Sequence, residues 1–261
     1  MRNHIALFLS ILVLLATACS LVTGTGTTPL APASTSQGNG NQPVGTPPAN
    51  PVSINDGLGS LNSYQMTVKF ISTGPDPAQS STTIIETQHS KDTNASYTHL
   101  NITVVDSAGS APNNTDGNIY RIGNDQCSGS GEDWTWTSMP PNEAEMLDIL
   151  TNMLSLTPLI DTPAFVAQET INGIPTNHFK FKVSGLGVTS GADVIANQGD
   201  YWLAIDGQFI VKYSLILETS LNPQTNVLHE EISIDVNQIN QPVNIAFPQG
   251  CLDASLVTPT P

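Results

Sequence analysis

Apolar and polar residues alternate along several stretches of the chain from residue 63 onward. A period of two places successive side chains on opposite faces of a β-strand, so each stretch predicts a half-buried strand with one wet face. In the first stretch the apolar positions are Tyr64, Met66, Val68 and Phe70. The alternation recurs around residues 100–104 and 228–236. These patterns predict a domain built mostly of strands.

Two dipeptides predict tight turns between adjacent strands. Asn172-Gly173 and Asp206-Gly207 each separate two apolar runs, and both accept the positive φ that two-residue hairpin turns require. Counting outward from each turn assigns the flanking residues to faces. For the first hairpin the count predicts an apolar face made of Ala164, Val166, Phe179 and Phe181. For the second it predicts an apolar face made of Trp202, Ala204, Phe209, Val211 and Tyr213.

One segment predicts a helix between these strands. Pro140-Pro141-Asn142 precedes it, and Glu143 and Glu145 lie in its first turn, where carboxylates complement the helix dipole. Its apolar stripe is broader than contact with one sheet requires. The stripe consists of Met146, Leu147, Ile149, Leu150, Met153 and Leu154. The fold class predicted from all these patterns is α+β, mostly β.

The start of the chain has the pattern of an export signal. Arg2 and His4 precede an uncharged apolar run at residues 5–18. The run is shorter than the roughly 20 residues of a membrane-spanning helix, and it ends in small residues where a signal peptidase would cut. Residues 1–18 are therefore predicted to be a signal peptide.

The end of this leader, Leu15-Ala16-Thr17-Ala18-Cys19, resembles the lipobox of bacterial lipoproteins. There a cysteine thiol is alkylated with diacylglycerol and becomes the new N-terminus, so Cys19 is the predicted lipidation site. The leucine usual three positions before the cysteine is displaced by one, and Ala16 occupies its place. The alternative is an ordinary signal peptide that leaves Cys19 as an odd extracellular thiol.

Composition divides the rest of the chain. Residues 19–51 carry no charge and few bulky apolar side chains, so they predict a lipidated cysteine and a disordered Gly/Ser/Thr/Pro tether. Residues 52–252 suffice for a single β-rich domain, and residues 253–261 predict a disordered tail. The formal net charge of −15 argues against nucleic acid and anionic lipid surfaces as electrostatic partners.

Cys127 and Cys251 remain as an even pair once Cys19 is assigned to the anchor. In an oxidising compartment such a pair predicts a disulfide that closes a long loop. The alternative is two separate buried thiols. Zinc is not expected, because no further cysteine and no nearby histidine pair supplies the remaining ligands.

Residues that could carry chemistry do not assemble into a motif. His89, His99, His178 and His229 lie on different predicted strands, each on a wet face, and the chain has no Gly-x-Ser-x-Gly nucleophile elbow. The sequence therefore predicts no metal, no cofactor and no catalytic residue. The pair Trp134 and Trp136 fits two interpretations, the mouth of a cavity or packing beneath the predicted helix, of which packing is preferred.

The order of these features resembles the LolA/LolB and LppX/LprG group of bacterial lipoprotein and lipid carriers. The resemblance covers most of residues 54–250. It rests on the lipidated leader, a short helix running into Leu61-Asn62-Ser63-Tyr64, the Trp202 strand with its hairpin, and the closing segment at residues 240–248. It implies a strongly curved antiparallel sheet forming an unclosed half-barrel. It also implies a helical lid on the concave face, with an apolar cavity between sheet and lid.

The leading hypothesis is a lipoprotein anchored to the outer face of the bacterial cell membrane that binds or carries a hydrophobic ligand. The ligand would be a lipid or a lipoprotein acyl chain, and no enzymatic activity is expected. The alternative is an envelope interaction or sensor module that binds another envelope protein and has a core filled by side chains. The predicted cavity residues are Met66, Val68, Phe70, Met146, Leu147, Leu150, Met153, Phe179, Phe181, Trp202, Phe209, Val211 and Tyr213.

Overall fold

The computed structural model of the protein describes residues 57–74, 76, 80–105, 111–138, 163–183, 193–222 and 226–257. The chain divides into two units, Met1–Gln42 and Pro43–Pro261, and all described residues belong to the second. The predicted signal peptide, Cys19, the tether and the predicted helix at residues 143–154 lie outside the described residues.

Strands dominate the described part of the chain, which contains eleven of them, one short 3-10 helix and one α-helix. The 3-10 helix is Leu58–Ser60 and the α-helix, α1, is Gln249–Val257. Helix α1 includes residues 253–257, so the predicted start of a disordered tail at residue 253 falls inside a helix. The strands are β1 Ser63–Thr73, β2 Ser80–Ser90, β3 Ala95–Val105, β4 Asn113–Ile122, β5 Asp125–Ser130, β6 Asp133–Ser138, β7 Ala164–Ile171, β8 Ile174–Phe181, β9 Asp193–Ala204, β10 Ile210–Asn222 and β11 Asn226–Asn237.

All eleven described strands belong to one sheet, in the order β6-β5-β4-β3-β2-β1-β11-β10-β9-β8-β7. Each adjacent pair is antiparallel. The sheet is open, because β6 and β7 form its two edges within the described residues. The fold class is thus confirmed as mostly β with an open antiparallel sheet, while its curvature and the helical lid remain predictions.

One face of the sheet carries the hydrophobic core, as the period of two predicts. At its centre Val68 of β1 pairs with Ile234 of β11, and the two side chains are 0% and 1% exposed. We call this side the apolar face. Its buried members include Met66, Val68, Phe179, Phe181, Tyr201, Leu203, Tyr213, Leu215, Leu217, Ile234 and Val236. The opposite side, the polar face, carries Lys69, His99, Lys180, His178 and Lys212.

The turn at Asn172-Gly173 is confirmed. Ile171 pairs with Ile174, and the two turn residues have φ angles of 52° and 81°. A register shift between Phe165 and Ala167 follows in β7, so Phe165, rather than Val166, lies opposite Phe179. The predicted apolar grouping of Ala164 and Val166 with Phe179 and Phe181 is therefore wrong, because a bulge changes which residues face each way.

The turn at Asp206-Gly207 is also present, with Gly207 at φ 88° and Gln208 at φ 51°. The closing hydrogen bond runs from the Ala204 N–H to the Phe209 carbonyl at 2.9 Å, so four residues form the turn. A register shift between Ile210 and Lys212 then pairs Lys212 with Trp202.

The predicted placement of Trp202 on the apolar face is wrong for the same reason as in the first hairpin. The bulge in β10 inserts one residue between Ile210 and Lys212, so positions counted from the turn change faces beyond it. Trp202 consequently shares the polar face with Lys212, whereas Tyr201 and Tyr213 pair on the apolar face.

The predicted disulfide is present between Cys127 and Cys251. Cys127 lies in β5 and Cys251 in α1. Helix α1 packs on β6, and the Trp134 ring lies so close to Gly250 that an added Cβ would be 2.3 Å from it. Trp134 thus packs against α1, and Trp136 packs on Phe247 with ring centroids 4.6 Å apart; the predicted helix lies outside the described residues, so packing beneath it remains a prediction. Both tryptophans lie on the same face as Cys127, opposite the core.

We expect replacement of both cysteines, Cys127→Ala with Cys251→Ala, to lower the free energy of unfolding by about 2–4 kcal/mol, because the crosslink closes a long loop. Urea unfolding followed by circular dichroism measures this change. The control is Leu256→Ala, which truncates an exposed side chain of α1 and leaves the crosslink intact. Equal stability of the double variant and the wild type would contradict the prediction.

Candidate functional site

Aromatic rings form a connected group on the apolar face. Their centroids are separated by 5.8 Å between Phe165 and Phe179, 5.1 Å between Phe179 and Tyr201, and 5.9 Å between Tyr201 and Phe181. Phe181 continues the group to Tyr213 at 5.3 Å. The group crosses strands β7 to β10, so this half of the apolar face is aromatic rather than aliphatic.

Gly199 of β9 allows this packing. The residue pairs with Phe181, and an added Cβ would lie 2.1 Å from that ring. A side chain at this position would have to displace the phenyl ring. Gly199 therefore sets how closely the aromatic ring approaches the sheet.

Burial varies along the strands of the apolar face. Tyr213, Phe179 and Val68 are fully buried, whereas other apolar side chains on the same face are only half-buried. The half-buried group packs against the core and includes Tyr64, Phe70, Leu100 and Ile232. Large apolar side chains that retain solvent contact can gain stability from a further covering group.

Most of the predicted cavity residues that the structure describes lie together. Seven are in the buried core, and Phe70 packs against it. Those seven are Met66, Val68, Phe179, Phe181, Phe209, Val211 and Tyr213. Trp202 does not join them. Met146, Leu147, Leu150 and Met153 lie outside the described residues, so their role as a cavity wall remains a prediction.

Sequence reasoning missed two members of the apolar face. Tyr201 pairs with Tyr213 and is buried, and the bulge after Ile210 hid it from the face count. Glu230 pairs with Leu217 and Ser72, and it lies two positions before Ile232 on β11. The alternation in β11 could have identified Glu230, because a residue two positions from a core residue shares its face.

Two polar groups on the apolar face have no described hydrogen-bond partner. The Tyr213 side chain is 1% exposed, and its Oη has no partner within the described residues. Burial raises the pKa of Tyr213, so the hydroxyl stays protonated and remains a donor. Burial also raises the pKa of the Glu230 carboxyl, which has Leu217 as a cross-strand neighbour.

Three histidines of the polar face each lie between two carboxylates. His178 Nδ1 is 3.0 Å from Glu169 Oε1, and its Nε2 is 2.7 Å from Asp200 Oδ1. The ring stacks on Trp202 at 4.3 Å between centroids, and Lys212 Nζ lies 5.1 Å from the indole centroid. Trp202 Nε1 donates to Glu169 Oε2 at 2.9 Å. Trp202 is thus fixed on the polar face by stacking, a hydrogen bond and a cation.

His99 and His229 repeat this arrangement elsewhere on the polar face. His99 lies between Asp116 Oδ2 at 2.8 Å and Glu86 Oε2 at 3.1 Å. Hydrogen bonds to two carboxylates raise the pKa of His99, and the one to Asp116 has a larger effect than the one to Glu86. The hydrogen bond from His99 in turn lowers the pKa of Asp116. Hydrogen bonds to Glu231 and, to a smaller extent, to Glu218 raise the pKa of His229.

The wet-face prediction therefore holds for His99 and His229; His178 lies on the polar face but is buried, and His89 is on the other face. His89 pairs with Tyr64 and stacks on its ring at 5.2 Å, so it lies on the side of the apolar face. Among the described residues, no group of three or more His, Cys, Asp or Glu side chains is arranged so that it could hold a metal ion. No helix among them is long and apolar enough to span a membrane.

No protein-family model and no curated protein matches the chain. Solved structures do resemble it. The lipoprotein LppX of Mycobacterium tuberculosis is 17% identical, with 73% of this chain and 93% of that chain covered and a TM-score of 0.39. LprF of Mycobacterium bovis is 12% identical, with 75% and 94% covered and a TM-score of 0.40.

A LolA superfamily protein of Nitrosomonas europaea is 13% identical, with 74% of this chain and 96% of that chain covered and a TM-score of 0.23. Members of the LolA and LppX group, which the sequence resembles, are thus among the similar structures. TM-scores of this size transfer neither a ligand nor an activity to this chain.

The contacts of His99 predict a pH-dependent contribution to stability. Because folding raises the pKa of His99 above its ordinary value of 6.5, this contribution is complete below that value and is lost as the pH rises through the raised pKa. We expect His99→Gln to lower the free energy of unfolding by about 0.5 kcal/mol near pH 6, since solvent screens these half-exposed carboxylates, and by less near pH 9. Urea unfolding at the two pH values measures it; an equal loss at both would contradict the assignment.

Proposed function

We propose that the protein is an exported, membrane-anchored lipoprotein that binds or carries a hydrophobic ligand and catalyses no reaction. The ligand is a lipid or the acyl part of a lipoprotein, and it lies against the apolar face of the sheet. Lipid on Cys19 holds the chain at the outer face of the bacterial cell membrane. Residues 20–51 form the tether that lets the domain move between partners.

The observation that carries this proposal is the set of half-buried apolar side chains on a face that is otherwise core. Phe70 and Ile232 pair with each other across β1 and β11 at the centre of the sheet. A hydrophobic guest that covers such side chains gains about 25 cal/mol for each Å² removed from water. The half-buried Ile71 of the polar face has Glu231 as its cross-strand neighbour, so a guest placed there would also remove a carboxylate from water, which is costly.

The second wall of the site is the apolar stripe at residues 146–154. Met146 and Met153 lie in this stripe, and the flexible thioether side chain adapts to ligands of irregular shape. We expect a helix with this composition to cover an apolar sheet face. The proposed site thus has a rigid wall, formed by the sheet, and an adaptable wall, formed by the stripe at residues 146–154.

A separate observation favours a second candidate function, that of an envelope interaction module. Strand β7 is a sheet edge within the described residues, and Phe165 and Val166 on it are 39% and 45% exposed. An exposed edge strand with apolar side chains can pair with a strand of another protein. In that case the apolar face would be filled by the side chains of this chain.

Native mass spectrometry of the full-length protein, purified without detergent from lipid-rich cells, tests the first function against the second. Carriage predicts a bound hydrophobic molecule in a substantial fraction of the protein. A protein that is empty in repeated preparations would count against carriage and favour the interaction module.

A matched pair of substitutions locates the site. Ile232 and Ile71 are both half-buried and lie one position apart in the β1–β11 register, on the apolar and the polar face respectively. We expect Ile232→Asn to reduce the bound fraction severalfold, because it places an amide against the acyl chain, while Ile71→Asn leaves the fraction unchanged.

The readout is the bound fraction in native mass spectra, with thermal melting of both variants as the check on folding. Equal effects of the two substitutions would show that the apolar face is not the site.

A further inference from the structure

We propose that the hydrophobic ligand is an anionic amphiphile, whose carboxylate or phosphate head group binds Arg121 at one end of the apolar face while its acyl chain extends along that face toward Phe70. This inference rests on the proposed function, since it names the ligand class of the same site. It depends on three features of the described residues. These are the face and neighbours of Arg121, a track of apolar side chains that begins beside it, and the distribution of charge along that track.

Arg121 lies on the apolar face although it is charged. Arg121 of β4 pairs with Ser96 of β3. Ser96 in turn pairs with His89 of β2, and His89 pairs with Tyr64 of β1, two residues before Met66 of the core. Directly paired residues of an antiparallel ladder project to the same side of the sheet, and no register shift interrupts these three ladders. Arg121 is half-buried, so its side chain retains solvent contact and is accessible to a ligand.

The neighbours of Arg121 on this face suit a polar head group. Gln126 of β5 and Ser96 of β3 flank it on the two adjacent strands, and both are half-buried. Their amide and hydroxyl groups can donate hydrogen bonds to carboxylate or phosphate oxygens. Arg121 Nε donates to the Gly123 carbonyl at 3.5 Å. A guanidinium has five N–H donors in a fork, so it can keep contacts within the protein and bind an anion as well.

Apolar side chains lead from Arg121 diagonally across the face to the centre of the sheet. We call them the diagonal track; they are Ile119, Leu100, Ile85, Phe70 and Ile232, on β4, β3, β2, β1 and β11. All except Ile85 are half-buried, so they have surface to lose to a ligand.

The diagonal track is long enough for an acyl chain. Phe70 lies three strands from Arg121 and six residues further along the strands, which is roughly 25 Å on a flat sheet at about 4.8 Å per strand and 3.4 Å per residue. The acyl layer of one membrane leaflet is roughly 15 Å thick, half of the hydrocarbon core. One extended acyl chain with its head group at Arg121 therefore fits along the track.

Charge is distributed unequally along the diagonal track. On β1 to β4 and β11, the described residues of the apolar face include one arginine or lysine, Arg121, and one acidic residue, Glu230. Arg121 is two residues from Ile119 at one end of the track, and Glu230 is two residues from Ile232 at the other. An anionic head group finds a cation at the first end and a carboxyl at the second, so the ligand is oriented with its head at Arg121.

The acidic composition of the chain does not prevent this contact. The Debye length is about 8 Å at physiological ionic strength, so charges close to Arg121 matter more than the formal net charge of −15. In the β4–β5 ladder the one acidic residue is Asp125, which precedes Gln126 on β5 and therefore faces the polar side. The anion would thus meet Arg121 without a carboxylate from the adjacent strand on the same face.

Probes with one palmitoyl chain and different head groups test the inference. Palmitate carries a carboxylate, palmitoyl lysophosphatidate carries a phosphate, and methyl palmitate carries a neutral ester. The full-length protein is titrated with each probe at about pH 8, where both acidic head groups are ionised, and the bound fraction is read from native mass spectra. We expect both anions to bind about tenfold more tightly than the ester, the range of one charge-assisted hydrogen bond. The anion that binds more tightly identifies the head group, and either result supports the inference.

A first pair of substitutions assigns this preference to a residue. Arg121→Gln removes the cation from the apolar face, and Lys69→Gln removes the same charge from the polar face. We expect Arg121→Gln to reduce binding of the anions to the level of the ester and to leave ester binding unchanged, whereas Lys69→Gln changes neither. Because the ratio of anion to ester binding is compared between variants, differences in solubility among the probes cancel.

A second pair leaves Arg121 in place. Gln126→Glu places a carboxylate beside the guanidinium, where it competes with the ligand, and is expected to lower the preference for anions severalfold. Gln88→Glu makes the same change of charge on the polar face, opposite Tyr97, and is expected to have no effect. Thermal melting checks the folding of all four variants. Since Gln126→Glu adds a partner for Arg121 rather than removing one, it tests the inference even if Arg121→Gln does not fold.

Equal binding of the anions and the ester would overturn the inference and leave hydrophobic carriage intact, as would an anion preference that persists in Arg121→Gln. Butyrate, a carboxylate with a short chain, is expected not to bind detectably. Binding of butyrate as tight as that of palmitate would also overturn the inference, because the diagonal track would then contribute nothing. Failure of every palmitoyl probe to bind would remove the proposed function and this inference with it.

Discussion

The pairing of β1 with β11 is the contact on which the rest of the described sheet depends. Strands β1 to β6 pair in chain order, as do β7 to β11, and within the described residues the β1–β11 ladder alone joins the two sets. Residues so far apart in sequence meet only after loop-closure entropy is lost. The burial of Met66 and Val68 against Val236 and Ile234 offsets that cost, and it makes the apolar face continuous across the sheet.

Polar contacts hold the same junction at both of its sides. The Asn240 side chain accepts from the Asn62 N–H at 2.8 Å, and Ser63 Oγ donates to the Gln241 carbonyl at 2.6 Å, where the chain leaves β11 beside the start of β1. Asn172 in the β7–β8 turn donates to the Val236 carbonyl at 2.9 Å. The disulfide adds a covalent connection between β5 and the segment after β11. The end of β11 is therefore fixed by the first strands and by the last hairpins together.

The sequence predicts the strands and the face of the central ladder because alternation of side chains is a local property. It also predicts the two-residue turn at Asn172-Gly173, whereas the second hairpin has a four-residue turn with positive φ at Gly207 and Gln208 instead of the predicted two-residue turn. The predicted faces of Val166 and Trp202 were wrong, because a single extra residue in β7 or β10 reverses the faces of the residues beyond it. Such a bulge cannot be read from the residue types in these strands. The disulfide followed from counting cysteines, whereas its location in α1 depended on tertiary packing against Trp134.

The two faces of the sheet differ in how many of their side chains already have interaction partners within this chain. On the polar face His99, His178 and His229 each have two carboxylate partners, and Lys212 has Trp202, so a binding partner there would have to displace existing contacts. On the apolar face the half-buried Phe70 and Ile232 gain from any further covering group. Because binding energy is available where contacts are incomplete, this difference supports the proposed binding of a hydrophobic ligand at the apolar face over binding at the polar face.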